Sequence, residues 1–233
     1  KILVIILIEY LTIIPARKNS KRIKRKNIVL IKKKELITYT FKHAIGSNYK
    51  KNIIVNTDDE KIIKLSKKYD LNFLERPKRL SSSNTSTEDV ISHTLKTLYG
   101  KSYFKKVKNV ILLQPTSPLR TIKNVNQAKR KFKKGNYDSL FSGFLSKKFI
   151  WTGQKKLKSI SYNFKRRRRT QDMQNLIFEN GAIFIFNTKG FYINKNRLFG
   201  KIGFIEMEER QSVDLDTKKD LSLLKKIIIW LFN

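Results

Sequence analysis

The 233-residue chain has no cysteine and only two histidines. The lack of cysteine excludes disulfides, thiolate nucleophiles and zinc–thiolate sites. Any bound metal ion must therefore be held by oxygen ligands. The two histidines, His43 and His93, both fall in amphipathic helical patterns, where a structural histidine is more common than a catalytic one.

Long apolar runs are also missing. Residues 1–10 begin with one lysine and seven apolar residues, but Glu9 ends the run and no small-residue cleavage site follows. A run of about 8 residues is too short to span a bilayer, and the pattern disfavours a signal peptide. We interpret residues 1–10 as a buried strand or an extra strand-like extension, and we expect no membrane partner.

Acidic residues are scarce: 18 Asp and Glu stand against 52 Lys and Arg, which gives a net charge of +34. A charge of this size favours nucleic acid, anionic membranes or phosphorylated ligands as partners. The lysines are nevertheless scattered over the whole chain, as a compositional bias on solvated faces would also place them. We therefore expect salt-sensitive binding to polyanions but no specific nucleic-acid partner.

Strand-like apolar runs alternate with helical patterns along most of the chain. The periodicity predicts strands at residues 11–14, 52–56, 107–113 and 182–186, and helices at residues 38–45, 59–69, 87–98, 122–134 and 217–231. Asp58 and Ser86 stand where helix N-caps are expected. The alternation predicts a three-layer α/β fold with a mainly parallel, Rossmann-like sheet. Ligands of such folds bind at the carboxyl ends of the strands.

The alternation breaks at about residues 144–179, where aromatic residues are interspersed with cations. We interpret this stretch as an inserted β-hairpin or arm. Because such an arm could bury little apolar surface alone, we expect it to pack on another subunit. Its run "KRRRR", residues 165–169, would by itself suggest a nucleic-acid or nuclear-localisation patch, and a solvated charge run is the alternative.

A basic loop follows the first predicted strand. The stretch "IIPARKNSKRIKRKN", residues 13–27, places seven Lys and Arg after Pro15. A strand that ends in such a loop presents cations and backbone N–H groups at the carboxyl edge of a sheet, where α/β proteins hold phosphates. On charge alone, a solvated loop explains the stretch equally well.

Two acidic residues, Asp214 and Asp216, lie near the end of the chain. They are separated by one residue, so on an extended segment both carboxylates project to the same side. Together with phosphate oxygens they would suit Mg²⁺. The alternative from spacing alone is that Asp216 caps the last helix.

Six short segments occur in order along the chain: "IIPARKNSKRIKRKN", "IIVNTDDEKI", "ERPKRLSSSNTSTEDVISHTL", "LLQPTSPLR", "ENGAIFIF" and "SVDLDTKKDL". They resemble the motifs of the acylneuraminate cytidylyltransferases, the CMP-sialic acid synthetase family. The resemblance implies one cytidylyltransferase domain over residues 11–233, with a dimerisation arm at about residues 144–179. It also implies a cytoplasmic homodimer that couples CTP to a nonulosonic acid such as N-acetylneuraminate, giving CMP-sugar and pyrophosphate.

The resemblance assigns roles to individual residues. The nucleotide-binding residues it implies are Ala16, Arg17, Asn19, Ser20, Lys21, Lys26, Asn27, Arg76 and Ser82. Arg17, Lys21 and Asp216 are expected to be catalytic, because attack on the α-phosphate needs charge stabilisation. Asp214 and Asp216 are expected to hold Mg²⁺.

The sugar is expected to contact Gln114, Arg169, Asn180 and Gly181. Either Arg169 or Arg168 could meet the sugar carboxylate, and the sequence leaves the register open. Arg120 ranks below Gln114 as a residue that holds the turn or an anion.

Several alternatives remain at this point. Lys26 and Asn27 replace the G-K-P-L of Kdo cytidylyltransferases, and "NGAIFIF" differs from the D-A-G-Q-F-type strand of pseudaminate enzymes, whereas legionaminate or another neuraminate-like acid stays open. A basic nucleic-acid-binding module is the rival from another class. A non-catalytic homologue is a further rival, because Lys18 and Asn19 replace loop glycines and Asn84 replaces an aspartate common in the family.

Overall fold

The computed structural model describes residues 7–231 of the chain. Its strands are β1 (Ile8–Ala16), β2 (Leu30–Ile31), β3 (Lys34–Glu35), β4 (Ile53–Thr57), β5 (Asn72–Glu75), β6 (Val107–Leu113), β7 (Ser139–Ser146), β8 (Trp151–Thr152), β9 (Lys158–Ser159), β10 (Leu176–Asn187) and β11 (Ile202–Glu206). Its α-helices are α1 (Leu36–Ile45), α2 (Glu60–Lys68), α3 (Thr87–Tyr99), α4 (Ile122–Lys134), α5 (Thr188–Asn194) and α6 (Lys218–Leu231). Within residues 7–231, no helix combines the length and the apolar character needed to cross a membrane.

Seven strands form one sheet in the order β11-β7-β10-β6-β1-β4-β5. Neighbouring strands run parallel except for β10, which is antiparallel to both β6 and β7. Strand β1 lies between β4 and β6 and is buried on both faces, which explains its continuous apolar sequence. The predicted mainly parallel α/β sheet is confirmed.

Helices cover both faces of the sheet. Side chains of β1 alternate between the two faces, as the two-residue period of a strand requires: Ile14 packs with Phe41 of α1 and Val125 of α4. Ile13 packs on the opposite face with Ile91 of α3. The result is a three-layer domain whose strand ends meet at one edge.

A third apolar cluster lies at the carboxyl edge of the sheet. It joins the basic loop, the start of α1, the turn after β6, α6 and the stretch that carries Asp214 and Asp216, residues 214–216, called here the acidic segment. Its members are Ile23, Ile31, Leu36, Leu119, Leu215, Leu224 and Ile228. Burial of these side chains is worth about 1.5–3 kcal/mol each. This cluster therefore brings the acidic segment against the basic loop, although the two are far apart in sequence.

The predicted arm is an excursion from two long antiparallel strands. Strands β7 and β10 pair out to Ser146 and Leu176, and residues 147–175 connect them through the short β8–β9 pair. The arm has its own aromatic cluster, in which the ring centroids of Phe149 and Tyr162 are 4.7 Å apart. Several large apolar side chains of the arm remain exposed: Trp151, Leu157, Ile160 and Phe164.

Some local predictions differ from the structure. The N-cap of α2 is Asp59, whose side chain accepts from the Lys61 N–H at 2.9 Å, and not the predicted Asp58. Ser86 is confirmed as the N-cap of α3. Within the segment predicted as an extension, residues 8–10 are the first part of β1, and residues 1–6 lie outside the described residues.

His43 on α1 has a buried Nδ1 atom with no hydrogen-bond partner among the described residues. Burial, and then the charges of Arg120 and Lys42, lower its pKa well below the ordinary 6.5. The unfolded chain therefore binds a proton near pH 6.5 that the folded chain does not. We expect the free energy of unfolding to fall as pH drops below 6.5, with a slope of up to about 1.4 kcal/mol per pH unit from His43. Urea unfolding between about pH 7.5 and pH 5.5 measures this slope.

The variant His43→Leu should flatten this dependence. Burial also lowers the pKa of His93, with the charges of Arg79 and Arg76 acting in the same direction, so His93→Gln is the matched control and should leave the His43 contribution in place. Equal slopes for the wild type and His43→Leu would show that His43 is not the group responsible.

Candidate active site

A cleft opens at the carboxyl ends of β1 and β6. Its first cavity, of about 250 Å³, is lined by residues that include Arg17, Ser20, Lys26, Asn27, Arg76 and Gln114. A second cavity of about 240 Å³ adjoins it and is lined by residues that include Lys21, Arg22 and Asp216. The two cavities share Arg17, Ser20, Lys26 and Ser83, so the basic loop and the acidic segment line one continuous cleft.

The basic loop is fixed to its surroundings by hydrogen bonds at its start. Arg17 Nη1 donates to the Ser82 carbonyl at 2.8 Å, and Asn27 Nδ2 donates to the Arg17 carbonyl at 3.0 Å. The Lys18 N–H donates to Asp58 Oδ1 at 2.7 Å. These bonds hold the loop over the ends of the strands.

One cation of the loop, Arg25, forms an ion pair within the protein. Arg25 has a left-handed backbone, with φ of 52°, and its guanidinium lies 2.9 Å from Asp59 Oδ1, the cap of α2. The guanidinium is therefore occupied by the carboxylate that begins α2. This contact removes Arg25 from the cations that could meet a ligand.

Asp216 faces the basic loop. Its Oδ2 lies 2.7 Å from Arg22 Nη1 and its Oδ1 lies 3.1 Å from Lys26 Nζ, which also donates to the Leu215 carbonyl at 2.8 Å. The alternative that Asp216 caps the last helix is wrong. The cap is Thr217, whose hydroxyl accepts from the Asp220 N–H while the Asp220 carboxylate accepts from the Thr217 N–H.

Asp214 lies deeper than Asp216. Its Oδ1 is buried without a hydrogen-bond partner among the described residues, and so is the Oγ1 of Thr116. The Leu215 N–H donates to the Thr116 carbonyl at 2.9 Å, which ties the acidic segment to the turn after β6. Burial raises the pKa of Asp214, and the neighbouring Thr116 hydroxyl lowers it, although the two groups do not meet in the geometry of a hydrogen bond. The negative charge of Asp216 raises this pKa further and the positive charge of Lys26 lowers it.

Arg76 lines the same cleft from the end of β5. Only 6% of it is exposed, and it donates from Nε to Asn56 Oδ1 at 2.7 Å and from Nη2 to the Asn56 carbonyl at 3.0 Å. Burial lowers its pKa to about 10; Asp58 raises it and Arg17 lowers it further. Arg76 therefore remains charged at neutral pH and is held in one orientation.

A comparison with known protein families assigns this chain to one of them. The family model described as "Cytidylyltransferase" matches residues 11–228. The chain belongs to the cytidylyltransferase family. The resemblance found in the sequence segments is thereby confirmed.

Individual relatives agree with the family. The chain is 30% identical over 219 residues to the N-acylneuraminate cytidylyltransferase of Escherichia coli O18:K1:H7, covering 91% of this chain and 50% of that protein. It is also 30% identical over 225 residues to the pseudaminic acid cytidylyltransferase of Campylobacter jejuni serotype O:2, covering 92% and 94%. The chain thus spans about half the length of the first relative.

A solved structure shares the fold of this cytidylyltransferase. The CMP:2-keto-3-deoxy-manno-octonic acid synthetase, complexed with CTP, superposes with a TM-score of 0.70 and 13% sequence identity, covering 96% of this chain and 100% of that one. At this level of identity, the likeness concerns the fold.

The expected sugar-binding residues of the cytidylyltransferase have different surroundings. Gln114 lines the first cavity, and a Cβ atom at Gly181 would lie 3.9 Å from its amide atoms. Asn180 is buried, donates from Nδ2 to Ser212 Oγ at 2.8 Å and accepts at Oδ1 from the Ala182 N–H at 3.1 Å. Because its amide is used within the protein, Asn180 supports the strand next to Gln114 and lines neither cavity.

Five other expected residues also line neither cavity: Ala16, Asn19, Arg169, Gly181 and Asp214. Ala16 is buried in the core, Asn19 is exposed, and Arg169 is exposed on the arm. Ala16 ends β1 and so determines where the basic loop begins. The structure thus brings together Arg17, Ser20, Lys21, Lys26, Asn27, Arg76, Ser82, Gln114 and Asp216 in one cleft, with Asp214 next to Asp216.

Two cleft residues, Arg22 and Thr116, were given no specific role from the sequence. Arg22 belongs to the basic loop, but nothing in the sequence indicated which of seven cations would pair with Asp216. Thr116 belongs to the segment "LLQPTSPLR", in which only Gln114 and Arg120 were assigned roles from the sequence. Its position between two prolines, in the turn that follows a buried strand, was the signal that could have identified it.

The carboxylates of the cleft fit a magnesium ion in kind and number. No cluster of three or more histidine or acidic side chains suited to a metal occurs among the described residues. Mg²⁺ commonly binds one or two carboxylates together with substrate phosphates and water. The unpartnered Oδ1 of Asp214, next to Asp216, is the donor that a hard cation of this kind prefers.

Proposed function

We propose that this protein couples CTP to a nonulosonic acid of the N-acetylneuraminate type and releases CMP-sugar and pyrophosphate. The observation that carries the proposal is the contact of the basic loop with the acidic segment, where Asp216 lies 2.7 Å from Arg22 and 3.1 Å from Lys26. This arrangement supports the proposal, because it brings cations that could bind a triphosphate and carboxylates that could hold a metal into one cleft.

We assign the nucleotide to the first cavity and the basic loop. Arg76 is held in one orientation by Asn56 and lines the same cavity as Asn27, which supports a role in orienting the cytidine. Arg17 and Lys21 extend from there into the second cavity, where the triphosphate would be bound. Fixed donors that need no reorganisation bind and position a substrate more effectively than mobile ones.

The chemical step is an in-line attack by the anomeric hydroxyl of the sugar on the α-phosphate of CTP. The new bond joins the sugar oxygen to the α-phosphorus, the bond to the pyrophosphate oxygen breaks, and the hydroxyl proton passes to water or to a carboxylate of the cleft. Arg17 and Lys21 offset the charge that develops on the phosphate and on the leaving pyrophosphate. Asp214 and Asp216 would hold Mg²⁺, which supplies further charge neutralisation on the phosphates. No covalent intermediate with the protein is required, in agreement with the absence of cysteine.

The sugar would be bound near Gln114 and Gly181. The chain is as similar to a pseudaminic acid cytidylyltransferase as to an N-acylneuraminate cytidylyltransferase, at 30% identity in both cases. Overall identity therefore does not separate the two substrates, and the preference for a neuraminate-like acid over pseudaminate rests on the segment "NGAIFIF".

Pyrophosphate release with CTP and Mg²⁺ tests the proposal. The panel contains N-acetylneuraminate, legionaminate, pseudaminate and Kdo, and mass spectrometry identifies the CMP-sugar. We expect turnover with a neuraminate-like acid. Turnover with none of the four acids would contradict the proposed function, and turnover with pseudaminate alone would correct the substrate.

We further propose that the protein acts as a homodimer in the cytoplasm, where CTP is available, with the arm at the dimer interface. The exposed apolar side chains of the arm support this proposal, among them Leu157 and Ile160, which are 63% and 62% exposed. In such a dimer Arg169 could reach the sugar carboxylate of a partner.

The double variant Leu157→Ser, Ile160→Ser is expected to shift the protein from dimer to monomer, because it removes apolar surface that a partner would cover. Light scattering over a range of concentrations measures the mass. The matched control is Leu98→Ser on α3, an apolar side chain that is 40% exposed outside the arm. An unchanged mass in the arm variant, or a monomeric wild type, would contradict the proposal.

A further inference from the structure

Arg120 is the largest fully buried side chain of the described residues, with 1% of its surface exposed. It follows the turn after β6 and lines neither cavity of the cleft. Arginine is rarely buried to this degree unless it is paired with an acid. Its position therefore requires an explanation beyond packing.

The guanidinium of Arg120 connects three elements that surround the proposed sugar subsite. Nη1 donates to the Gln114 carbonyl at 3.2 Å and to the Ala182 carbonyl at 2.5 Å. Nη2 donates to Thr40 Oγ1 at 2.9 Å. The group thus joins the end of β6, the middle of β10 next to Gly181, and helix α1.

Arg120 has no acidic partner among residues 7–231. None of the ion pairs within the described part of the chain includes Arg120, and its Nε is buried without a hydrogen-bond partner there. The nearby titratable group is His43, whose pKa is lowered first by burial and then by Arg120. Burial lowers the pKa of Arg120 to about 9, which leaves it charged at neutral pH.

Burying a charge without a partner lowers the stability of the folded protein, because the charge loses its contact with water. Such a charge is also screened weakly, because water and salt do not reach it, so its field acts on a ligand bound nearby. The three acceptors of Arg120 are two carbonyls and one hydroxyl, which fix its position without neutralising it.

We propose that Arg120 is a positioning residue that makes the sugar subsite selective for an anionic sugar acid. It holds the backbone at Gln114 and Ala182 and places an uncompensated positive charge beneath them. The carboxylate of the incoming acid supplies the missing negative charge without touching Arg120. This inference rests on the proposed function, since it takes the space beside Gln114 and Gly181 as the sugar subsite.

The test compares the binding of an acid with that of its neutral ester. The probes are the 2-deoxy analogue of whichever panel acid gives CMP-sugar, and the methyl ester of that analogue. Neither probe can react, because both lack the attacking hydroxyl. Calorimetry in the presence of CTP gives the ratio of the two dissociation constants for the wild type and for the variants Arg120→Met, Arg120→Gln and Arg120→Lys.

We expect the preference for acid over ester to fall about tenfold in Arg120→Met and in Arg120→Gln, because both remove the charge. Arg120→Lys keeps the charge and should keep most of the preference. Thr40→Val is the matched control, because it removes one hydrogen bond of Arg120 and leaves the charge in place. Affinity for CTP and the melting temperature identify variants that are folded.

The inference is overturned if a folded neutral variant keeps the preference of the wild type. It is also overturned if Arg120→Lys or Thr40→Val loses the preference as fully as Arg120→Gln does, because geometry alone would then explain the effect. Arg120→Gln keeps a polar side chain with N–H donors, although a shorter one, so it provides the neutral variant if Arg120→Met does not fold. Failure of the wild type to use any panel acid would instead refute the proposed function.

Discussion

Replacing Asp214 by asparagine is expected to lower kcat/KM for CMP-sugar formation about a thousandfold. The buried Oδ1 of Asp214 has no partner among the described residues, so the carboxylate is available for a cation in the cleft. Asparagine has nearly the same shape but lacks the charge that Mg²⁺ prefers. Pyrophosphate release measures the rate, and calorimetric titration of Mg²⁺ in the presence of CTP measures the affinity for the metal.

The same variant is expected to be at least as stable as the wild type. Burial raises the pKa of Asp214 in the folded protein above its value in the unfolded chain. The free energy of unfolding therefore falls as pH rises from the unfolded to the folded pKa, and it stays lower above that range. Asparagine removes this loss of stability at neutral pH. A variant that is more stable yet inactive is the expected signature of a residue retained for function.

Asp220→Asn is the matched control for Asp214→Asn. Asp220 lies in the same segment, but its carboxylate accepts from the N–H groups of Asp216 and Thr217 at the start of α6. Its loss should cost about 1 kcal/mol of stability and leave catalysis near that of the wild type. Undiminished activity and metal affinity in Asp214→Asn, or in the double variant Asp214→Ala, Asp216→Ala, would show that these carboxylates do not hold the metal.

The central strands could be predicted from sequence because burial on both faces makes them apolar throughout. β6 was predicted to the residue, and β1 and β4 to within a few residues. β5, β7 and β11 were not predicted, because their sequences lack such a run. In β7 the residue Gly143 weakens the local signal, yet the pairing needs it: a Cβ there would lie 2.3 Å from the Phe178 carbonyl oxygen of β10.

The sequence predicted which residues form the cleft, but not which of its cations form ion pairs with which acids. The order of the segments brings the basic loop and the acidic segment to the same edge of the sheet, since parallel strands share that edge. Which cation meets which acid depends on the third apolar cluster and on loop geometry. The side chain of Arg25 turns to Asp59, whereas those of Arg22 and Lys26 turn to Asp216, and no periodicity in the loop separates the three.

The buried polar residues were the least predictable part. Asn180 was expected to contact the sugar, but its amide hydrogen-bonds to Ser212 and Ala182. Arg120 was ranked low, although it is fully buried and joins three elements. A single sequence does not reveal whether a polar side chain at the end of a strand faces a ligand or its own backbone, because both need the same donors and acceptors.

Replacing Lys26 by methionine is expected to lower kcat/KM about a hundredfold and to raise the KM for CTP. Lys26 lines both cavities, and its Nζ lies 2.8 Å from the Leu215 carbonyl oxygen and 3.1 Å from Asp216 Oδ1. Its loss removes a fixed charge from the triphosphate site and releases the acidic segment from the loop. Steady-state kinetics at several CTP concentrations separates the effect on KM from that on kcat.

Lys24→Met is the matched control for Lys26→Met. Lys24 is exposed, lies two positions earlier in the same loop and lines neither cavity, so its replacement removes the same charge from the chain without the same contacts. If position matters, only Lys26→Met should lose activity. If both variants lose activity equally, the loop acts through its summed charge, and the fixed contacts of Lys26 with Leu215 and Asp216 carry no special weight. The dependence on salt would then be equal in the two variants and steep, because exposed charges are screened over about 8 Å at physiological ionic strength.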